Sequence, residues 1–558
     1  MASNENKFKV NYLQANEIDL ELLKDQFQPD EDDTNFEYNP FNVSSFQNYQ
    51  PIFKNFFKMD NDNYNLINFN QKNKIIDLEN VFNNKTNDCE ACDIFIKHSP
   101  LLDPIKYMIG KYDINDEKIR TLPKLNSSDD DCHAKLLSQN NSSYVDCFFS
   151  FLCSNVLHHY DFKNSIDYYG SFLAVQKKFK MNITDDYDYL NDSDFFLENI
   201  NNYFNITKYE LLKQFMDNHS RKNKNKLNIS ESILTDKIDD DIVEALEIED
   251  IENMEELEEV YNNENNDDNS SDDSEEVLDD ENSDSEEDSE ENNEEDSEED
   301  SEEGSEPEIS IQAYIKNFPV QMICLEKCDG TIDDLFENEE VDDANGSAYL
   351  LQIIMTLITY QKAFHFTHND LHTNNIMYKN TDIEYLYYCY NNKYYKVPTY
   401  GKIFKIIDFG RSIYKFKGRT YCSDSFAPGG DAATQYNCEP YYNDNKPVIE
   451  PNYSFDLCRL GCSIYDFIID DEEYEDMNEL QKTIYRWCTD DNNANILYKK
   501  NGSERYPEFK LYKMIARTVH KHLPQKQLDY LFFNQYKTTL DNPENIHIMN
   551  IDEIHCYV

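Results

Sequence analysis

His368-Asn369-Asp370-Leu371-His372-Thr373-Asn374-Asn375 and, further on, Lys405-Ile406-Ile407-Asp408-Phe409-Gly410 are the stretches on which the fold of this chain turns. The first sets a histidine two residues before an aspartate and an asparagine five after it. The second closes an apolar, strand-like run with Asp-Phe-Gly. Transfer of a phosphoryl group asks a protein to position a hydroxyl and to screen the charge on the moving group. One carboxylate must take the hydroxyl proton, and a second carboxylate with an amide oxygen must hold Mg²⁺ against phosphates. Asp370, Asp408 and Asn375 are residues of those types. Either motif alone is weak, whereas both in this order within 40 residues arise by chance on the order of once in a thousand chains of this length.

Around these motifs lie 558 residues with 51 Lys+Arg against 111 Asp+Glu, a formal charge of −60. Between Asp236 and Glu308 there are 39 acidic residues and one lysine, while nearly all of the 41 Tyr and 34 Phe lie elsewhere. Such a surface repels a phosphate backbone, so no direct nucleic-acid partner is expected. The acidic tract cannot bury enough apolar surface to offset its backbone entropy and reads as a disordered insertion. Fourteen cysteines are too few for a disulfide scaffold, and no signal peptide opens the chain at Met1-Ala2-Ser3-Asn4. A reducing, cytoplasmic setting follows. The most apolar stretch, Tyr349 to Tyr360, is twelve residues with Gln352 inside it, well short of the roughly 20 a bilayer span needs, so no membrane partner is expected.

Residues 1–70 are rich in Asn, Asp and Phe without a sustained period, and read as an irregular N-terminal extension packed in places through Phe53, Phe56 and Phe57. Residues 71–180 regain short apolar runs. Asp93 to Lys97 reads as a strand, Tyr144 to His159 as a helix capped near Asn141, with Val145, Phe148, Phe149 and Leu152 at helical spacing, and Ser165 to Leu173 as a strand. Residues 181–308 are polar and then acidic. Within 309–330, Phe318 to Cys328 reads as a strand. Residues 331–558 are mixed: an amphipathic helix over Ala348 to Ala363, a hairpin over Tyr385 to Tyr400 broken by Asn391-Asn392-Lys393, and helical patterns from Asn478. The class is α+β.

With both motifs in place, the chain resembles the protein kinase superfamily. Within it, it looks most like the divergent serine/threonine-kinase-like proteins of giant DNA viruses, in which runs such as Ser425 to Tyr442 recur. The resemblance covers about Asp93 to Gly170 and Ile309 to Tyr536. It implies a two-lobed protein-kinase-like fold with the acidic insertion in the small lobe, and ATP and Mg²⁺ as cofactors. It also implies transfer of the γ-phosphoryl group to Ser or Thr hydroxyls of a protein substrate, a basic one suiting the acidic tract, in host cytoplasm or a virion. By this resemblance Asp370 orients and deprotonates the hydroxyl, Asp408 and Asn375 hold Mg²⁺, and Lys97 contacts the α- and β-phosphates. The family pairs that lysine with a helix glutamate, but no Glu occurs between Lys118 and Leu197, and Asp146 is the substitute. Leu325 to Gly330 is similar to the hinge, where main chain near Glu326 and Cys328 meets adenine. Asp456 to Gly461 matches the family's Asp-x4-Gly, with Asp456 bracing the catalytic loop. His372, where most serine/threonine kinases carry lysine, faces the transferring phosphate. A histidine there also resembles haspin-like kinases and small-molecule kinases of the aminoglycoside and choline type.

The chain also departs from the family. No glycine precedes Gly110, so no glycine-rich loop lies ahead of Lys97. Asn369 replaces the arginine on which a phosphorylated activation loop docks, so modification at Thr420, Tyr421, Ser423 or Ser425 is not expected to be the main switch. Two alternatives therefore stand beside a protein kinase. One is a pseudokinase scaffold, against which speak Lys97, Asp370, Asn375 and Asp408, all retained. The other is a small-molecule phosphotransferase, against which speak Gly410 and the 48 positions from Asp408 to Asp456. Cys89 and Cys92 lack a second pair for zinc, Arg221 to Lys226 reads as a solvated loop rather than a nuclear signal, and His365 and His368 read as structural.

Overall fold

Asn141 accepts the Ser143 N–H in its side chain and starts helix α1, Ser142–Tyr160, by satisfying a donor the first helical turn leaves free. The computed structural model describes residues 7–15, 18–207, 310–469, 474–507, 509–540 and 546–558. The acidic tract and Arg221 to Lys226 lie outside them. The described chain before Thr207 and after Ile309 forms one compact unit of α+β class.

Helix α1 packs on an antiparallel sheet ordered β1-β3-β5-β2, with β4 also on β5. Here β1 is Val43–Gln47, β2 Ile94–Pro100, β3 Tyr168–Asn182, β4 Phe204–Ile206 and β5 Gln312–Glu326. Lys97 lies opposite Ile323, and Ile94 opposite Glu326. The first 70 residues are more built than their composition suggests. Val43–Gln47 is the edge strand beside β3, and Tyr12–Gln14 pairs with Ile67–Phe69. Their aromatic side chains close on α1: Phe56 lies 4.7 Å from Phe148 and Phe69 4.6 Å from Phe151, centroid to centroid. Gln50, fully buried, donates to Ser171 at 2.6 Å and accepts from Gln321 at 2.9 Å. A polar, aperiodic segment can thus join a core when its amides are paired. Order also continues past Lys180, through two short helices, Tyr187–Asn191 and Asp194–Asn199, and β4.

After Glu326 the chain becomes helix-rich. Helix α2 is Ile332–Glu337 and α3 is Asp343–Phe364, the latter capped by Asp342 in a reciprocal box with Asn345. Gln352, the polar residue in its apolar run, accepts from Phe404 N–H and Asn164 Nδ2 and donates to the Lys402 carbonyl, which makes its burial affordable. Strands β6 (Ile376–Asn380) and β9 (Lys402–Ile406) pair antiparallel. Between them runs the hairpin β7 (Tyr385–Tyr390) and β8 (Lys393–Pro398). Its turn residues Asn391 and Asn392 have φ of 50° and 56°, the backbone that matches the strand twist of a two-residue turn. Strands β10 (Ile413–Phe416) and β11 (Arg419–Cys422) follow, then helices α4 (Phe455–Ile468), α5 (Glu479–Trp487) and α6 (Phe509–Thr518). Among the described residues no helix is long and apolar enough to cross a membrane. All fourteen cysteines are free thiols.

Candidate active site

Register brings the two decisive motifs together. Ile376 at the start of β6 faces Ile406 at the end of β9, so the residues just outside the pair, Asn375 and Ile407, meet. The Ile407 N–H donates to the Asn375 carbonyl at 3.0 Å, and His368 Nε2 lies 2.9 Å from the Ile407 carbonyl. The 33 positions from Asn375 to Asp408 are therefore no separation in space.

The loop carrying Asp370 is braced from below by Asp456 on α4. Its carboxylate accepts the N–H of His368 at 2.9 Å and of Asn369 at 2.9 Å. Burial pushes the Asp456 carboxyl up while those N–H bonds and His368 pull it down, and burial prevails. Asn369, wholly buried at φ 64°, donates to the Arg411 carbonyl at 3.0 Å and accepts from Tyr436 Oη at 2.8 Å. The amide that stands in for arginine is thus spent inside the protein. His365 is the exposed left-handed cap of α3, at φ 50°, and no group of three or more His, Cys, Asp or Glu among the described residues is placed to hold a metal ion, Cys89 and Cys92 included.

Lys97, Asp146 and Asp408 form one cluster. Lys97 Nζ lies 2.7 Å from Asp146 Oδ2 and 2.8 Å from Asp408 Oδ1. The other oxygen of Asp146 accepts the Phe409 N–H at 3.0 Å. Helix α1 therefore holds the strand lysine and the Asp-Phe-Gly backbone through one carboxylate. Phe409, fully buried, packs 4.7 Å from Phe149 and 5.8 Å from His368, a burial of about 1.5–3 kcal/mol. Burial works against the Lys97 ammonium, but the two carboxylates outweigh it and raise its pKa. Burial likewise pushes Asp408 up, and Lys97 more than reverses this and holds it near 2. Asp146 is pushed up, by burial first. One ammonium faces two carboxylates here. The surplus negative charge falls on Asp408, whose side chain is 45 % exposed.

Asn375 commits its amide nitrogen to the Asp370 carbonyl at 2.9 Å and lies 3.0 Å from His372 Nε2. Burial lowers the His372 pKa while Asp370 pulls it the other way. Asp408 and Asn375 together offer a carboxylate and an amide oxygen, hard donors of the kind Mg²⁺ takes.

At the expected hinge, Glu326 is used structurally. Its N–H donates to the Asp167 carbonyl at 3.1 Å, and its carboxylate accepts the Asp167 N–H at 2.8 Å and lies 2.5 Å from Lys405 Nζ. The Cys328 N–H has no acceptor among the described residues. Three neighbours escaped sequence reasoning. Tyr512 on α6 donates to Asp370 Oδ1 at 2.7 Å, Arg411 Nε lies 3.9 Å from Asp370 Oδ2, and Arg459 on α4 donates to Tyr512 Oη at 2.9 Å. Arg411 follows Asp-Phe-Gly directly and Arg459 lies inside the Asp456 to Gly461 match, whereas nothing in the sequence marks Tyr512.

No protein-family model matches the chain. Among characterised proteins, the serine/threonine-protein kinases haspin of Mus musculus and Bos taurus are similar to it, each 36 % identical over 66 residues. That stretch is 12 % of this chain and 9 % and 8 % of theirs. The chain thus spans about a tenth of the length of the relatives it matches. What it shares with them is a short, kinase-like stretch.

Proposed function

We propose that this chain is an ATP-dependent serine/threonine protein kinase with a two-lobed fold. The observation that carries the reading is Asp146, which joins Lys97 Nζ to the backbone of Phe409 and so ties strand, helix and Asp-Phe-Gly into one unit. Strands β1 to β5 with α1 would be the small lobe, 326–330 the hinge, and 331–558 the large lobe. Adenine would meet the main chain at Cys328, and Lys97 the α- and β-phosphates. Mg²⁺, held by Asp408 and Asn375, would supply charge screening on the phosphates. Asp370 accepts the proton of the acceptor hydroxyl as the new O–P bond forms and the bond to ADP breaks. His372 would brace Asn375, its Nε2 lying 3.0 Å from the amide nitrogen. The acidic balance of the chain favours a basic protein substrate in the cytoplasm, and the run Ser425 to Tyr442 supports a place among the kinase-like proteins of giant DNA viruses.

The test is transfer of labelled phosphate from Mg-ATP to a basic test protein and to the chain itself, comparing wild type with Asp408→Asn. Transfer by wild type alone is the expected result. Absence of both transfer and nucleotide binding would move the reading to a binding scaffold, an outcome favoured by the lack of any glycine before Gly110.

A further inference from the structure

Asp370 has company that the expected chemistry does not account for. The hydroxyl of Tyr512 donates to its Oδ1 at 2.7 Å and accepts from Arg459 Nε at 2.9 Å. Two guanidinium groups lie near the Tyr512 ring, Arg411 at 5.7 Å and Arg459 at 5.2 Å from its centroid, and the ring stacks on Phe509 at 5.3 Å. Arg411 pairs with the Asp431 carboxylate at 2.5 Å and lies 3.9 Å from Asp370 Oδ2. Arg459 makes no ion pair among the described residues, and burial works against its charge while Tyr512 and Asp370 outweigh this and raise its pKa.

Building on the phosphotransfer reading, we propose that Tyr512 and Arg459 form the positioning device for Asp370, fixing the orientation of its carboxylate through one relay of hydrogen bonds. Arg459 brings a full positive charge, and its Nε–H polarises the phenol so that the bond to Asp370 is charge-assisted. An ionised carboxylate accepts at both oxygens, so a phenol on Oδ1 leaves Oδ2, which Arg411 Nε approaches only to 3.9 Å, to accept from the acceptor hydroxyl. The arrangement is a brace and not a plug. Tyr512 stands on a regular helix, is held by two cations and a stacked ring, and would have to break all of these contacts to withdraw.

The test compares kcat, KM for ATP and thermal unfolding of wild type, Tyr512→Phe, Arg459→Met and the double variant. Tyr512→Phe keeps the ring and its stacking. It is expected to lower kcat by roughly ten- to a hundred-fold, the weight of one hydrogen bond to a charged group, with KM for ATP and the unfolding temperature unchanged. The double variant should lose little more than either single one, because both act through one relay. A Tyr512→Phe turnover equal to wild type, or higher, would overturn the proposal, the latter showing an obstructing hydroxyl. Additive losses would overturn the relay. A wild type that is as silent as Asp408→Asn would instead sink the phosphotransfer reading and this proposal with it.

Discussion

His98, the neighbour of Lys97 on β2, shows how a single side chain sets the acid tolerance of the sheet. Burial pushes its pKa down to about 4. Its Nε2 has no hydrogen-bond partner, and its ring edges against Phe41 at 5.9 Å. A free histidine titrates near 6.5, so between pH 6.5 and 4 the unfolded chain binds a proton that the folded chain refuses. Stability is fully present above pH 6.5 and falls as pH drops through this window, by on the order of 3 kcal/mol if this group acts alone. His98→Leu should flatten urea-unfolding midpoints across pH 6.5 to 4; an unaltered slope would assign the acid sensitivity elsewhere. The structure brings together Asp370, Asn375 and Asp408, which the two motifs mark, and Asp146, which the kinase resemblance implies as the partner of Lys97. Tyr512 was illegible because a tyrosine on a distant amphipathic helix looks the same whether it faces solvent or a carboxylate.

The elements around α1 show why its position needs no modification to be held. Asp424, after β11, accepts the Ser142 N–H at 3.0 Å and lies 2.8 Å from Lys135 Nζ, while its own N–H donates to the Asn140 carbonyl at 2.7 Å. A fixed carboxylate thus sits at the helix N-terminus, where the free donors and the macrodipole favour a negative charge. Ser423 beside it is fully buried. Asp424→Ala should cost about 1–2 kcal/mol and speed amide exchange over the first turn of α1, measured by hydrogen–deuterium exchange. Unchanged exchange there would show the contact to be ornamental. Elements were legible where the period was clear: α1, with its cap at Asn141, starts two residues before the expected bound and α3, read without a cap, starts five before it, and the Asn391-Asn392 hairpin appears as read. Val43–Gln47 was missed because its sequence, Val-Ser-Ser-Phe-Gln, lacks clean alternation and is a strand only by virtue of pairing with β3. Tertiary context, not propensity, makes it one.

At the scale of the whole molecule, Thr207 and Gln312 close the sheet where the long tract leaves and re-enters. The Thr207 N–H donates to the Gln312 carbonyl at 2.9 Å and Gln312 N–H to Thr207 Oγ1 at 2.8 Å. Because loop closure costs only logarithmically in length, replacing 236–308 by a short Gly/Ser linker should leave unfolding temperature and ATP turnover unchanged. Loss of soluble, folded chain would refute this. The central place of β5 has a further consequence for synthesis. Among the described residues β2 has no strand partner but β5, and β3 shares most of its length with it, yet about 130 residues separate the end of β3 at Asn182 from the start of β5 at Gln312. At ribosomal speeds this is a wait of roughly ten seconds, during which two apolar strand edges stand open to neighbouring chains. The residues emerging meanwhile carry most of the net negative charge of the protein, so nascent copies repel one another for as long as their edges are unpaired.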